Sequence, residues 1–238
     1  MQSFVDLSEE ITSCIRCSRL IDYCREVAVI KKKMYLHDEY WGKPVPGFGD
    51  PAAKILIVGL APAAHGANRT GRMFTGDGMD GMGASDFLAS ALYRSGYANK
   101  PTSRYSGDGF ELQGVFMTSI VRCAPPGNKP MRSEIDNCSS FLHVELDLLK
   151  HLRIIIPVGK LAFDQILKVL GERGAVIPTP RPKFGHGEII NLGDEFPRLL
   201  TSYHPSRQNT QTGRLTPDML DSIFCIARDN LNLSLIKF

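Results

Sequence analysis

A chain of 238 residues is long enough to bury the core of one α/β domain, or of two small ones. Its 43% of apolar and 22% of charged residues, with 22 Gly and 15 Pro, exclude a low-complexity or disordered polymer. The longest apolar stretch, 55–64, is too short to span a bilayer, and residues 1–10 are acidic without the basic start of an export signal, so neither membrane insertion nor secretion is expected. The net charge of +3 by itself decides nothing about nucleic acid.

The first expected element is a short helix over 7–23, followed by a Pro- and Gly-rich stretch over 42–51. Residues 54–59 form a continuous apolar run that stops at Gly59 and Pro62, the pattern of a buried parallel strand. Helical spacing over 85–95 precedes a second strand over 115–121, and a helix over 133–152, opened by Ser133, leads to a third strand over 153–158. A helix over 160–170, a fourth strand over 198–203 and a last helix over 216–231, opened by Thr216, complete the alternation. With right-handed crossovers, this predicts one domain over 1–238, a three-layer α/β/α fold with a central four-stranded parallel sheet. Ligands of such sheets bind beyond the carboxyl ends of the strands, where 59–77, 119–129 and 204–214 fall.

Charge is unevenly spread along this order. Residues 51–76, 112–133 and 196–217 carry Lys and Arg but no acid. If they converge, they form a cationic surface suited to phosphates.

Six cysteines and no export signal predict a reducing, cytoplasmic setting, where thiols act as metal ligands, catalytic groups or core residues. Cys14 and Cys17 form a C-x2-C pair, and Cys123 and Cys138 could complete four thiolates around zinc or a cubane iron-sulfur cluster. Spacing does not choose between the metals, and the less favoured alternative is that Cys123 and Cys138 are ordinary core thiols. Cys24, seven residues after Cys17, could compete as a ligand, but Cys24 and Cys225 are both expected to be buried core thiols.

The loop after the first strand is rich in small residues, which let a ligand approach the backbone closely. Phe74 could stack on a planar ring, and Asp77 could position water or stabilise a cation; a core Phe and a helix-capping Asp are the plainer readings. His204, at a strand end and followed by Pro205, could donate a hydrogen bond to a developing anion. The polar tail of that last loop could wedge into a duplex.

Gly59, Leu60, Ala61, Pro62 and Ala63, then Asn68, Arg69, Gly71, Arg72, Phe74 and Asp77, then Arg122, Cys123, Pro125 and Pro126, then His204, Pro205 and Ser206 stand in one order together with the cysteine layout. This arrangement resembles the uracil-DNA glycosylase superfamily, most closely its iron-sulfur type B branch, family 5, from about Cys14 to about Leu231. The resemblance implies a structural 4Fe-4S cluster on Cys14, Cys17, Cys123 and Cys138. It also implies monofunctional hydrolysis of the N-glycosidic bond of flipped uracil in DNA, with a monomeric protein meeting DNA as its partner. His204 would hydrogen-bond the leaving base, Phe74 would stack on it, and backbone over 60–63, including Leu60, Ala61 and Ala63, would line the pocket. From the acid-free basic segments, Arg69, Arg72, Arg207 and Arg214 are expected to face DNA phosphates, with Gln208 beside them in the last loop.

Two positions depart from the pattern of relatives. Ala63 stands where other branches tend to carry an acidic or amide residue that activates water, which passes the electrostatic role to Asp77. Ser119 stands where relatives frequently carry a uracil-reading Asn, and a hydroxyl can serve either a donor or an acceptor edge. Hypoxanthine or xanthine is therefore expected as a further substrate. Two other classes compete: an iron-sulfur oxidoreductase, against which the lack of a G-x-G-x-x-G fingerprint counts, and a non-catalytic nucleic-acid-binding module.

Overall fold

A computed structural model of the chain describes residues 2–76 and 83–233. Eight α-helices and six strands are found among them: α1 Phe4–Thr12, α2 Ser18–Ile30, β1 Phe48–Gly49, β2 Ile55–Gly59, α3 Ala67–Thr70, α4 Ala84–Arg94, β3 Val115–Ser119, α5 Arg132–Leu148, β4 Ile154–Pro157, α6 Lys160–Glu172, β5 Ile189–Ile190, β6 Arg198–Leu200, α7 Arg207–Gln211 and α8 Pro217–Leu233. No helix among the described residues is long and apolar enough to cross a membrane.

The expected single helix over 7–23 is two helices. Ser3 and Asp6 form a reciprocal capping box on α1, with the Asp6 N–H donating to Ser3 Oγ at 3.2 Å and the Ser3 N–H to Asp6 Oδ2 at 2.8 Å. The break between α1 and α2 contains Cys14 and Cys17, and Cys17 is the residue before the first turn of α2. Met131, rather than Ser133, precedes α5, whereas Thr216 does open α8, its Oγ1 accepting from the Met219 N–H at 3.3 Å.

One six-stranded sheet runs in the order β1-β3-β2-β4-β6-β5. The four strands expected from the sequence are its inner neighbours, paired in parallel, with Ile57 opposite Met117 and Ile156. The sheet as a whole is mixed, which corrects the expectation of a four-stranded parallel sheet: β1 and β5 add antiparallel edges of two residues each. Strands that short leave no periodic signal in the sequence.

Both faces of the sheet are covered, and this is why β2 and β4 read as unbroken apolar runs and β3 begins as one over Val115, Phe116 and Met117. On one face Leu56, Val58, Ile155 and Leu199 pack against Leu7, Leu20, Phe141 and Phe163 from α1, α2, α5 and α6. On the other, Ile55, Ile57, Ile156 and Leu200 pack against Leu88 and Leu92 of α4 and Ile223 and Phe224 of α8. The alternation follows the two-residue period of a strand. The carboxyl ends of β2, β3 and β6 thereby come to one edge.

Candidate active site

At that edge a cavity is lined by Ala61, Pro62 and Ala63 beyond β2, by Ala67, Met73, Phe74 and Thr75 of the same loop, by Ala84, by Ser119 at the end of β3 and by His204 beyond β6. Five of the residues singled out in the sequence therefore meet: Ala61, Ala63, Phe74, Ser119 and His204. Met73, Thr75 and Ala84 carried no separate signal. Leu60 is not among the lining residues; its carbonyl accepts from the Val121 N–H at 2.9 Å, extending the β2–β3 pairing by one step. Asp77 lies outside the described residues.

Phe74 is held in an unusual way. Its φ is +49°, in the left-handed region that aromatic residues seldom adopt. Its ring lies against the backbone of Gly59, where a Cβ would come 2.8 Å from Cζ. Glycine is needed at that point because the ring occupies the space of a side chain.

Ser119 is buried and its hydroxyl donates to the Val121 carbonyl at 2.7 Å, with Met73 Sδ at 3.5 Å. The hydroxyl thus spends its proton inside the strand end and keeps acceptor capacity. His204 follows β6 and is half-buried; its carbonyl accepts from Asn209 Nδ2 at 2.8 Å, tying it to α7, whose first turn is capped by Ser206.

The basic loops do not behave as one surface. Arg72 is only 6% exposed and donates to Asp108 Oδ1 at 2.8 Å, Ser103 Oγ at 2.9 Å and Thr75 Oγ1 at 3.0 Å. Arg69 pairs with Asp38, donates to the carbonyls of His65 and Gly76 at 2.9 and 2.7 Å, and lies 4.0 Å from the Tyr35 ring centroid. Arg122 is fully buried against Glu145, at 2.6 Å, and also donates to Thr118 Oγ1. Arg69, Arg72 and Arg122 are each answered by a carboxylate from elsewhere in the chain, so the expectation that Arg69 and Arg72 face phosphates is corrected: a buried guanidinium is held where a carboxylate answers it. Arg207, Gln208 and Arg214 are exposed, with Arg214 4.8 Å from the Tyr203 ring centroid.

Beside the loop, Tyr40 Oη and His65 Nδ1 are 2.9 Å apart, and burial, followed by the Lys32 and Arg69 charges, lowers the His65 pKa. This pair has no signature in the sequence, because its members lie 25 residues apart.

Cys14, Cys17, Cys123 and Cys138 all line one small cavity between α1, α2, the end of β3 and α5. The Arg122 N–H donates to Cys138 Sγ at 3.3 Å and Asn137 Nδ2 to Cys17 Sγ at 3.6 Å, contacts that stabilise negative charge on sulfur. Burial pushes the Cys138 thiol up to about 11. Among the described residues no group of three or more His, Cys, Asp and Glu is arranged to hold a metal ion as it stands. Cys24 is buried beside the set, its thiol 3.6 Å from the Ala124 carbonyl. Cys225 is exposed, correcting its reading as a core thiol.

The family model of the uracil DNA glycosylase superfamily matches residues 46–228. The type-5 uracil-DNA glycosylase of Mycobacterium tuberculosis is 47% identical over 223 residues, 93% of this chain and 80% of the relative. That of Thermus thermophilus is 44% identical over 220 residues, 92% of this chain and 94% of the relative. A type-4 uracil-DNA glycosylase of Pyrobaculum aerophilum is more distant, at 31% over 175 residues, 73% of this chain and 76% of the relative. Taken with the cavity at the sheet edge and the order of motifs around it, these likenesses establish that the chain belongs to the uracil-DNA glycosylase superfamily, in its type-5 branch.

Proposed function

We propose that this chain hydrolyses the N-glycosidic bond of uracil in DNA, leaving an abasic site and starting base excision repair. The observation that carries the reading is the convergence of Phe74, Ser119, His204 and the small residues Ala61 and Ala63 on one cavity at the carboxyl edge of the sheet. The bond is shielded inside a duplex, so the nucleotide must rotate out, which costs a few kcal/mol and is easiest for a mismatched base.

As the bond breaks, its electron pair leaves with the base and positive charge builds on the sugar. His204 donates a hydrogen bond to the forming pyrimidine anion. Phe74 stacks on the ring, and Ala61 and Ala63 let the base approach the loop backbone. Water then adds to the sugar carbon and loses its proton. Ala63 has no group to orient that water, so Asp77 takes the role of stabilising the sugar cation or positioning the nucleophile. Arg207, Gln208 and Arg214 are exposed on the His204 side and contact the DNA backbone.

Cys14, Cys17, Cys123 and Cys138 fit a 4Fe-4S cluster: four soft donors border one cavity, with N–H groups directed at two of the sulfurs. When bound, the cluster supplies a cross-link. These cysteines then fasten α1 and α2 to β3 and α5, behind the loops that form the base pocket.

The test is incubation with an oligonucleotide bearing one uracil, followed by alkali. Strand cleavage only after alkali supports a monofunctional glycosylase; retardation of the oligonucleotide with no base release would point to a binding module, and neither to an unrelated activity.

Ser119 supports a broader substrate range. With no planar amide in its place, selection rests on cavity shape and on a hydroxyl that lines the cavity and, donating to the Val121 carbonyl, keeps acceptor capacity. Hypoxanthine or xanthine is expected to be released at a measurable rate, and Ser119→Asn should shift the ratio of kcat/KM values toward uracil. Equal ratios in both proteins, with uracil alone released, would leave Ser119 as the end of its strand and nothing more.

A further inference from the structure

We propose that the buried Arg72–Asp108 ion pair is the positioning device for the base-stacking ring, locking the backbone turn over 73–76 so that Phe74 stays against Gly59 in its left-handed conformation. The inference rests on the stacking role given to Phe74 above and adds what enforces it.

An aromatic residue does not keep a positive φ unless its surroundings over-determine the turn. Here they do. The Arg72 guanidinium reaches past Phe74 to Thr75 Oγ1, and Thr75 Oγ1 lies 2.6 Å from Ser103 Oγ and 3.1 Å from the Met73 carbonyl. The Gly76 N–H donates to the Ser103 carbonyl at 3.0 Å, and Arg69 holds the Gly76 carbonyl from the other side. Residues before and after Phe74 are therefore tied to segment 103–110, while Phe74 itself projects into the cavity.

Asp108 anchors that segment. Its carboxylate accepts from the N–H groups of Arg104 at 2.7 Å and Phe110 at 2.9 Å as well as from Arg72, with Lys100 Nζ at 3.6 Å. Arg72 has little freedom to move: its guanidinium carbon lies 5.0 and 5.5 Å from the ring centroids of Phe48 and Phe110. Burial works against the ionised carboxyl, yet the N–H groups of Arg104 and Phe110 and the Arg72 guanidinium hold Asp108 at about 2, so the pair stays charged at neutral pH. A surface role for Arg72 would need none of these contacts.

The experiment is a double-mutant cycle on single-turnover release of uracil, with free-uracil inhibition and affinity for an abasic-site duplex measured alongside. Asp108→Asn and, as a variant that keeps the positive charge, Arg72→Lys are each expected to slow release about ten- to a hundred-fold, the scale of a misplaced reacting group. The inhibition constant of free uracil should rise with that loss, while duplex affinity stays within about two-fold. Each substitution should add nothing in a Phe74→Leu background, because the ring it positions is gone.

If Phe74→Leu is slow and Asp108→Asn costs its full factor in both backgrounds, the clamp is overturned and the stacking role stands. If Phe74→Leu releases uracil at the wild-type rate, the stacking role fails and the clamp with it. Should Asp108→Asn not fold, the same cycle run with Arg72→Lys supports or overturns the clamp on the same two comparisons.

Discussion

Replacing His204 by Ala is expected to slow uracil release about a hundred- to a thousand-fold, the cost of removing one donor that faces developing negative charge. His204 borders the cavity just beyond β6, and Asn209 of α7 holds its carbonyl. Because the charge on the base is absent in the bound substrate and develops only as the bond breaks, affinity for uracil-containing DNA should change by much less than the rate. Single-turnover rates and binding isotherms on the same duplex decide the matter. Equal losses in rate and binding would mean that the imidazole shapes the loop without stabilising the leaving base.

The other large effect concerns the cysteines. Protein purified without oxygen is expected to be brown and to hold about four irons per chain. Cys138→Ser should lose most of that iron and unfold at a clearly lower temperature, since the binding free energy of a structural metal group is largely folding free energy. The structural reason is specific: Cys14 and Cys17 sit in the break between α1 and α2, Cys123 follows β3 and Cys138 lies on the buried face of α5, so a group held by all four would join three parts of the chain. One zinc and no iron in the purified protein would defeat the assignment, as would an iron-free Cys138→Ser protein of undiminished thermal stability.

The inner strands were legible in the sequence because each is buried on both faces. A run such as Ile55, Leu56, Ile57 and Val58 has few other places to go in a chain of this size. Gly59, the small residues after it, Ser119 and His204 were legible for a related reason: the α/β rule sends the segments after parallel strands to one edge. The order of the motifs also pointed to the family before any contact was known.

What the tertiary structure alone decided is where the charges go. Arg69, Arg72 and Arg122 stand in acid-free segments, and nothing local distinguishes them from the exposed Arg207 and Arg214. Their partners, Asp38, Asp108 and Glu145, lie 31, 36 and 23 residues away. A guanidinium is buried when the fold carries a carboxylate into ion-pair distance and is solvated when it does not. Phe74 follows the same logic: a left-handed aromatic residue has no signature in sequence and persists here through hydrogen bonds from segments that meet only after folding. The two-residue edge strands and the split of the first helix were likewise too short-ranged to leave a period. Hydrophobic pattern is written locally along the chain, whereas charge pairing depends on contacts that exist only once the sheet has brought distant segments together.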